Sequence, residues 1–531
     1  MNRKLSLDQA TTRSTPWDVL VIGGGATGLG CALDAASRGY STLLLEQSDF
    51  AKATSSRSTK LAHGGVRYLQ QRNIALVLEA LKERGRMLRN APHLVRRQSF
   101  IIPAYAAWEI PFYGIGLKIY DALSGKSSFG PSRMFGLPRV RETLPTVVPT
   151  LHAHALAGGV EYFDGQFDDA RYCIALAQTL HDLGGTALNY TRVTRLLKRN
   201  GKISGAVAHD EISGLDFEIE ARVVLNATGI FSDEVRHLDE PQATPIITVS
   251  QGSHFVLPKS FLPGQHALMV PKTADGRVLF AIPWHGAVVV GTTDDEVPHA
   301  QLEPRPLEQE TAFLRQHIEL YFGRAPKDEE VLSAWSGQRP LVRKQGAKDT
   351  AALSREHTVV VSPAGLVSVA GGKWTTYRRM AEDTVDIAQK LVGLPPRPSA
   401  TQELRLHGWT EAAAQNSSAD HELAIYGSDQ PALDELIATH PDRPEFAEPI
   451  HPRLNITFAQ IVWAAREEMA ATVDDVLARR TRALFLDARA AIEAAPAVAI
   501  QLARELHQDE AWQHQQVAAF RAIAANYVFK S

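Results

Sequence analysis

The segment DVLVIGGGATGLGCALDAASRGYSTLLLE, residues 18–46, contains the pattern that decides the fold. It begins with a short, mostly apolar run that is typical of a buried strand. A glycine-rich turn and a helical pattern reaching Arg38 follow. A second apolar run, Thr42 to Leu45, predicts another strand, which ends at Glu46. Strand, turn, helix and strand in this order predict a βαβ unit at the start of an α/β domain.

Three glycines of the turn, Gly23, Gly25 and Gly28, have the spacing GxGxxG. In such a turn the first glycine permits a tight bend, the second lets the backbone approach a pyrophosphate, and the third lets the helix pack against the strand. The phosphate charge then faces the free N–H groups at the positive end of the helix dipole. Glu46 stands where a carboxylate can accept hydrogen bonds from an adenosine ribose. The complete unit predicts dinucleotide binding and leaves FAD and NAD both open.

Composition limits the class of protein. The chain has 531 residues, of which 44% are apolar and 22% are charged, as in a soluble globular protein of two or three domains. Its 56 basic and 59 acidic residues give no bulk electrostatic argument for nucleic-acid binding. Cys31 and Cys173 have neither metal-like nor redox-like spacing, so we expect structural thiols in a reducing compartment and no metal site.

Two segments bear on targeting. Residues 1–16 contain no apolar run like that of a secretion signal, and we expect a loose leader there. The run from Phe100 to Leu123 is broken by prolines and charged residues, which argues against a spanning helix. Basic and aromatic residues across Phe100–Lys126 suit contact with a membrane surface. An aromatic-rich cap packed inside the protein explains the same segment equally well.

The remaining chain alternates between helical and strand patterns. Helical spacing covers Asn73–Arg89 and Asp169–Leu183. Strand patterns cover Ala187–Leu197, Gly205–His209 and Phe217–Leu225, and strands with the spacing of antiparallel pairs recur between residues 246 and 293. We therefore expect a discontinuous cofactor-binding domain at residues 17–72, 151–240 and 345–394, and a cap domain at residues 73–150 and 241–344. A linker at residues 395–403 and a helical domain at residues 404–531 follow.

The stretch AGGKWTTYRRM, residues 370–380, opens another helical pattern with two glycines and a lysine. A nucleoside triphosphate loop would need a glycine five positions before Gly372 and a serine or threonine directly after Lys373. The chain has Val367 and Trp374 at those positions, so this type of loop is excluded. A cofactor turn and a simple corner both remain.

Five separated motifs carry a resemblance to a known family. They are VIGGGATGLG, ATSSRSTKLAHGGVRYL, LNATG, SGQRPL and AGGKWTTYR. With them the chain resembles the FAD-dependent glycerol-3-phosphate dehydrogenases of the D-amino-acid-oxidase-like flavoprotein superfamily. A sixth segment, residues 466–489, resembles the signature of that family's C-terminal domain. The resemblance implies an α/β (α+β) fold with a Rossmann-like FAD-binding domain, an antiparallel-sheet substrate or cap domain and an all-helical C-terminal domain.

The resemblance also implies which residues contact FAD. The residues expected at the ADP half are Gly23, Gly25, Gly28, Glu46 and Val193. Those expected along the flavin or its phosphates are Ser55, Lys60, Gly64, Ala227, Gly229, Gly372 and Thr375. A helix that begins after Gly372 would direct its positive end towards the flavin.

The implied substrate is sn-glycerol 3-phosphate. Its oxidation needs a base for the hydroxyl proton and cations for the phosphate and the developing alkoxide. Around this pocket the resemblance puts His63, Arg67, His254, Arg339 and Lys373, with Tyr68 and Thr376 as orienting groups. Of these we expect catalytic roles for His63, His254, Arg339 and Lys373, and which histidine is the base stays open.

Two positions depart from the family pattern. Gln251 stands where the family more often has lysine or arginine, and Trp374 stands where a smaller apolar residue is common. The chain lacks a cysteine-rich terminal extension and the large insertion of the related oxidases, which favours a dehydrogenase that reduces a membrane quinone. We expect a cytoplasmic protein attached peripherally to the inner face of the cell membrane. The alternatives are an oxidase that makes peroxide and a flavin-binding scaffold without turnover. The C-terminal helices leave a homodimer open.

Overall fold

The computed structural model describes residues 1–65, 73–273, 276–343, 357–415, 422–439 and 443–530. The strands within these ranges are β1 Trp17–Ile22, β2 Thr42–Leu45, β3 Leu61–Ala62, β4 Val95–Ala104, β5 Arg133–Gly136, β6 Thr150–Leu151, β7 His154–Ala155, β8 Gly158–Phe167, β9 Thr186–Leu188, β10 Thr191–Arg199, β11 Lys202–Asp210, β12 Asp216–Asn226, β13 Ile247–Pro258, β14 Ala267–Val270, β15 Leu279–Trp284, β16 Ala287–Gly291, β17 Asp295–Val297, β18 Ser333–Val342, β19 His357–Val361, β20 Val367–Gly371, β21 Pro449–His451 and β22 Leu454–Thr457.

The α-helices of the same ranges are α1 Arg3–Thr12, α2 Ala26–Ser37, α3 Ile74–Asn90, α4 Glu109–Ser124, α5 Leu137–Thr143, α6 Asp169–Asp182, α7 Ser232–Asp239, α8 Glu308–Phe322, α9 Tyr377–Leu391, α10 Glu411–Gln415, α11 Gln430–Ala438, α12 Phe458–Glu467, α13 Ala483–Leu486, α14 Ala488–Leu506 and α15 Glu510–Ala524. Helices α3 and α6 agree closely with the helical patterns read from the sequence.

The first large sheet is built around the predicted βαβ unit. Strand β1 pairs in parallel with β2 on one side and with β12 on the other, and β20 extends the parallel set beyond β12. Helices α2, α6 and α9 pack together over this sheet on a shared apolar core. Because Ile22 lies opposite both Leu45 and Asn226, the carboxyl ends of these strands meet at one edge. The Rossmann-like prediction is confirmed, and this edge is where such sheets bind ligands.

One strand predicted in this sheet is interrupted. The pattern Ala187–Leu197 forms two strands, β9 and β10, with Asn189 and Tyr190 between them. Tyr190 has a φ of 54°, and its N–H donates to the carbonyl oxygen of Ser48 at 2.7 Å. A residue with positive φ turns the chain out of the extended conformation, so the strand ends there.

The second large sheet follows the order β17, β13, β16, β15, β14, β4, β8 and β3, with β18 on β13 and β5 on β8. Its pairs are antiparallel except for β4 with β14. Strand β8 belongs to this sheet, since it pairs with β4 from Gly158 to Phe167. The cap sheet therefore includes β8, although residues from 151 onwards were expected in the cofactor-binding domain.

The N-terminal segment is a packed helix rather than the expected loose leader. Helix α1 is capped by Asn2, whose side chain accepts the N–H of Leu5. Arg3 then forms a 2.6 Å ion pair with the buried carboxylate of Asp210 and donates to Asn189. These contacts fix α1 against the first sheet.

The C-terminal region is mainly helical, as predicted, and also contains the short hairpin β21–β22 and a π-helical turn at Asp475–Arg480. Its apolar core includes Trp284 and Trp335 from the second sheet. Helices α12 to α15 therefore share a core with the cap sheet and pack against it.

The aromatic run from Phe100 to Leu123 is divided between two environments. Phe100 lies in the buried strand β4, and Leu117 and Tyr120 form the buried side of α4. The opposite side of α4 is exposed. Among the helices in the described ranges, none combines the length and the apolar character that a bilayer crossing requires.

Candidate functional site

A cavity of about 1130 Å³ lies between the two large sheets. Its walls come from the carboxyl-end edge of the first sheet and from strands β13, β15 and β18 of the second. The connections after β1, β2, β12 and β20 all reach it, because parallel strands end at the same edge. This arrangement brings residues that are distant in sequence into one site.

The glycine turn after β1 forms one end of the cavity. Gly23 has a φ of 111°, and a Cβ atom there would lie 2.7 Å from the carbonyl oxygen of Ala227. A Cβ atom on Gly28 would lie 1.8 Å from the carbonyl oxygen of Gly23, so Gly28 serves helix–strand packing beneath the cavity. Gly25 and Ala26, at the N-terminus of α2, face the cavity. The turn therefore presents a helix N-terminus to whatever occupies this end.

Glu46 directly follows β2 and lies beside this turn. Its carboxylate accepts the backbone N–H of Gly24 at 2.6 Å and that of Ser48 at 2.9 Å. Burial raises the pKa of Glu46 to about 6, although these two N–H donors oppose the shift. Each carboxylate oxygen can accept a further hydrogen bond, as from a ribose hydroxyl.

Most of the residues expected to contact the cofactor do line the cavity. They are Gly23, Gly25, Glu46, Ser55, Val193, Ala227, Gly229, Gly372 and Thr375. Val193 lies on β10 with three neighbours that also face the cavity, near Glu46. These residues form a continuous wall from β10, past the glycine turn, to the start of α9, which suits an extended ligand.

Three expected cofactor contacts, Gly28, Lys60 and Gly64, do not line the cavity. The ammonium group of Lys60 is fully buried and donates to the carbonyl oxygen of Ser56 at 2.7 Å and to Asp169 at 2.8 Å. Gly64 donates its N–H to the hydroxyl of Tyr120 at 2.9 Å, and a Cβ atom there would meet this hydroxyl at 2.4 Å. Lys60 and Gly64 therefore stabilise the cavity wall from behind and do not line it.

The residues expected around the substrate fall into three groups. His63, His254, Arg339 and Lys373 all line the cavity. Thr376 does not, because its buried hydroxyl donates to the carbonyl oxygen of Lys373 within the turn before α9. Arg67 and Tyr68 lie outside the described residues. Two histidines and two cations therefore meet in one site.

Arg339 is oriented by the turn Thr292–Asp294, which was not expected at the site. Its guanidinium donates to the hydroxyl of Thr292 at 2.9 Å and to the carbonyl oxygen of Thr293 at 3.2 Å, and it contacts Asp294 at 3.2 Å. Ser250 in turn donates to Asp294. The signal available in the sequence was VVVGTTDD, a buried strand that ends in hydroxyl and acidic residues.

His254 is held by stacking. It lies directly opposite Trp335 across β13 and β18, and the two rings stack with centroids 4.1 Å apart. Its Nε2 atom is 2.9 Å from the hydroxyl of Thr59. Burial lowers the pKa of His254 well below its usual range, and the charges of Lys60 and Arg339 lower it further. The imidazole is therefore neutral near pH 7.

Gln251, which differs from the family pattern, does not line the cavity. Its Nε2 atom donates to Glu310 at 2.9 Å and to the carbonyl oxygen of Arg305 at 2.8 Å. Glu310 is buried and also accepts the hydroxyls of Ser253 and Thr293. The positive charge that the family more often has at residue 251 would therefore face Glu310 and not the cavity.

Comparison with known proteins agrees with this geometry. The sequence model of a family described as FAD dependent oxidoreductase matches residues 18–378, and that of the C-terminal domain of alpha-glycerophosphate oxidase matches residues 367–513. The mitochondrial glycerol-3-phosphate dehydrogenase of Macaca fascicularis is 38% identical over 535 residues, which cover 95% of this chain and 72% of that protein. The chain belongs to the family of FAD-dependent glycerol-3-phosphate dehydrogenases.

Two further relatives support the assignment. The mitochondrial glycerol-3-phosphate dehydrogenase of Schizosaccharomyces pombe is 38% identical over 556 residues, covering 93% of this chain and 85% of that protein. The crystal structure of the glycerol-3-phosphate dehydrogenase from Bacillus halodurans, complexed with FAD, is 27% identical and has a TM-score of 0.80. It covers 100% of this chain and 99% of that chain. The predicted family and the predicted cofactor, FAD, are confirmed.

The cavity of this family member fits FAD on its own chemistry. The glycine turn leaves space that side chains would fill, and the N-terminus of α2 can face a pyrophosphate. Glu46 offers carboxylate oxygens for a ribose. Gly372 and Thr375 line the cavity before α9 and leave space for a ligand there. Among the residues that the structure describes, no group of histidine, cysteine, aspartate and glutamate side chains is arranged to hold a metal ion.

Proposed function

We propose that this protein oxidises sn-glycerol 3-phosphate to dihydroxyacetone phosphate. The observation that carries the proposal is the meeting of His254, Arg339 and Lys373 in the cavity that also contains the FAD-type glycine turn. A secondary alcohol that carries a phosphate needs this combination of a neutral base and several cations.

The phosphate binds to the two cations. Arg339 offers a planar fork suited to two phosphate oxygens, and the turn at Thr292–Asp294 holds that fork in place. Lys373 supplies a compact charge near the start of α9, where it stabilises the phosphate or the developing alkoxide at C2. With both cations engaged, the C2 hydroxyl is oriented within the cavity.

The proton of that hydroxyl goes to a histidine. His254 is the base that the geometry favours, because its ring is fixed by Trp335 and is neutral near pH 7. His63 also lines the cavity and contributes polar contact to the substrate. Bound FAD supplies the acceptor for the hydride that leaves C2.

We further propose that the electrons pass to a membrane quinone and that α4 is the membrane contact. Trp108, Phe112, Ile115 and Ile119 are between 49% and 63% exposed. Trp108 is the N-cap residue of α4, and the spacing of four, three and four residues aligns all four side chains along one side of the helix. Exposed basic residues, Lys126 and Arg133, lie close by in sequence, and this mixture suits a lipid headgroup interface.

With α4 as the membrane contact, the protein would be cytoplasmic and attached peripherally to the inner face of the cell membrane. Its test is vesicle partition of Ile115→Glu, which should fall sharply on anionic vesicles because a charge would enter the apolar interface. The matched control is Ile212→Glu, an exposed isoleucine on the β11–β12 connection. Equal partition of both variants would remove α4 from the proposal.

Anaerobic mixing with glycerol 3-phosphate tests the oxidation itself. We expect loss of the oxidised flavin absorbance with glycerol 3-phosphate, and no such loss after lactate, glycine or D-alanine. Bleaching by an amino acid without bleaching by glycerol 3-phosphate would overturn the substrate. Absence of bleaching by all four would favour the scaffold without turnover.

The electron acceptor needs its own measurement. Peroxide yield per substrate oxidised, with and without a soluble quinone, separates the quinone-linked dehydrogenase from an oxidase. We expect little peroxide and a turnover that rises with quinone. Stoichiometric peroxide and no response to quinone would identify the oxidase.

A homodimer stays a prediction. Within the described chain, α14 packs against α12 and α15, so the C-terminal helices already bury much of their apolar surface intramolecularly. Molar mass from light scattering at several protein concentrations tests whether a second copy also binds.

A further inference from the structure

The hydroxyl of Thr59 connects the cavity with His254. Thr59 lines the cavity and is only partly buried, whereas His254 is 1% exposed. Oγ1 of Thr59 lies 2.9 Å from Nε2 of His254. The other ring nitrogen, Nδ1, is buried and has no hydrogen-bond partner among the described residues. Nε2 is therefore the ring nitrogen that has a polar neighbour, and that neighbour is a hydroxyl on the cavity wall.

Thr59 is held in place from both sides. The buried carboxylate of Asp169 accepts the N–H of Ser58 at 2.9 Å and the hydroxyl of Ser58 at 2.7 Å. The same carboxylate pairs with the ammonium group of Lys60. Because both neighbours of Thr59 are fixed by one carboxylate, the Thr59 hydroxyl has a defined position relative to His254.

We propose that Thr59 relays the substrate proton to His254, a role that rests on the oxidation proposed above. The C2–OH proton of the substrate passes to Oγ1 of Thr59 while the Thr59 hydroxyl proton passes to Nε2 of His254. The C2–H bond breaks with its electron pair as a hydride, for which FAD held in this cavity would be the acceptor, and the C2–O bond becomes a carbonyl. The step uses the imidazole tautomer with its proton on Nδ1 and ends with a neutral Thr59 and a protonated His254.

The surrounding charges explain how His254 returns to its neutral form after the reaction. Lys60 lies with its ammonium group 4.7 Å from the centroid of the Trp335 ring, on which His254 also stacks. Lys60 and Arg339 both disfavour a cationic His254. A phosphate dianion on Arg339 offsets one of these charges while the substrate is bound. When the product leaves, the offset disappears and His254 releases its proton.

Two substitutions at one position test the relay. Thr59→Val keeps the shape of the side chain and removes the hydroxyl, whereas Thr59→Ser keeps the hydroxyl. Anaerobic stopped-flow mixing with glycerol 3-phosphate gives the rate of flavin reduction per bound FAD. We expect Thr59→Val to lose about 100-fold in this rate, the size typical of general acid–base catalysis, with little change in the substrate concentration at half-saturation. Thr59→Ser should keep most of the rate.

A second readout does not depend on turnover. In protein labelled with ¹⁵N-histidine, the His254 signals are assigned by their loss in His254→Asn. Thr59→Val should shift the Nε2 resonance of His254, because that nitrogen loses its contact, and Thr59→Ser should leave it near its original position. Normalising rates to bound FAD and measuring this resonance keep the test valid if Thr59→Val binds FAD less completely.

The outcomes separate the two proposals. If the unmodified protein is not bleached by glycerol 3-phosphate, the proposed oxidation fails. If it is bleached and Thr59→Val reduces flavin as fast, the relay alone is overturned. An unshifted His254 resonance in Thr59→Val, or a Thr59→Ser rate as low as that of Thr59→Val, also overturns it.

Discussion

The indole Nε1 of Trp374 donates a 2.9 Å hydrogen bond to the carbonyl oxygen of Ser55, 319 residues away in sequence. The hydroxyl of Ser55 accepts the N–H of Ala26 at 2.9 Å, at the first residue of α2. The Trp374 ring packs edge-on against Tyr172 and Tyr377. A continuous set of contacts thus connects the turn before α9 with the helix N-terminus that follows the glycine turn.

Trp374→Phe should weaken FAD binding more than substrate oxidation. The substitution keeps an aromatic ring and removes the bond to Ser55, so the wall beside α2 loses one fixed contact. Loss of one such bond corresponds to about 0.5–1.5 kcal/mol, or a dissociation constant raised by about twofold to twelvefold. Fluorescence titration of FAD into the flavin-free protein measures it.

Trp409→Phe is the matched control for this prediction. Its Nε1 atom also donates a 2.9 Å bond to a carbonyl oxygen, that of Arg89, but Trp409 does not line the cavity. FAD binding should be unchanged in this variant. Equal weakening in both variants would show that the effect comes from general stability and not from the contact with Ser55.

Asp49 connects the first sheet with the C-terminal domain. It accepts hydrogen bonds from Arg479 at 2.5 Å and from Arg480 at 2.6 and 2.8 Å, and all three side chains are buried. Asp49→Asn leaves two buried guanidinium groups without this charge, which typically costs about 3–5 kcal/mol in the free energy of unfolding. Urea unfolding followed by circular dichroism measures the loss. Asp216→Asn, in an exposed pair with His209, should change it far less.

The same carboxylate gives this stability a pH dependence. Burial raises the pKa of Asp49, but Arg480 and Arg479 outweigh it and lower the pKa to about 2. Because the folded-state pKa is below the usual value near 4, the contribution is complete above about pH 4 and is lost as the pH falls towards 2. A free-energy difference between the unmodified protein and Asp49→Asn that stays constant from pH 5 to pH 2.5 would contradict this account.

His407 should give the opposite pH dependence. Its Nδ1 lies 2.7 Å from Asp182, at the end of α6, and its Nε2 lies 3.0 Å from Asp429, just before α11. Hydrogen bonds to these two carboxylates raise the pKa of His407 to about 10. Since the folded-state pKa is raised, its stabilising effect is complete below about pH 6.5 and is lost as the pH rises through 10.

His407→Asn should therefore destabilise the protein strongly at pH 6 and much less at pH 10. Thermal or urea midpoints at the two pH values give the comparison. The pair with Asp429 can be isolated by a double-mutant cycle, in which His407→Asn and Asp429→Asn should be non-additive at pH 6 and more nearly additive at pH 10. Identical destabilisation at both pH values would exclude the charged pair.

The sequence predicts site residues that belong to a continuous local motif, and it misses roles that depend on residues distant in the chain. Gly23 and Glu46 are recognisable because the βαβ unit is continuous in the chain. Lys60 was expected at the cofactor, yet its partner Asp169 lies 109 residues away and holds it behind the cavity wall. The hydroxyl of Thr59 faces His254 across 195 residues of sequence. Such pairs result from the packing of the two sheets, and no local sequence pattern indicates them.

Lys373→Ala tests which side of the site this lysine serves. Gly371 and Gly372 both have positive φ, near 78°, and turn the chain so that Lys373 lines the cavity just before the Trp374–Thr376 turn that leads into α9. If Lys373 binds the phosphate or alkoxide, its loss should lower kcat/KM for glycerol 3-phosphate by about 10-fold to 150-fold, equivalent to 1.5–3 kcal/mol for a hydrogen bond to a charged group. FAD binding should change little. Lys390→Ala, at the exposed end of α9, is the control and should alter neither. Equal losses of FAD binding and of kcat/KM in Lys373→Ala would instead assign the lysine to the cofactor.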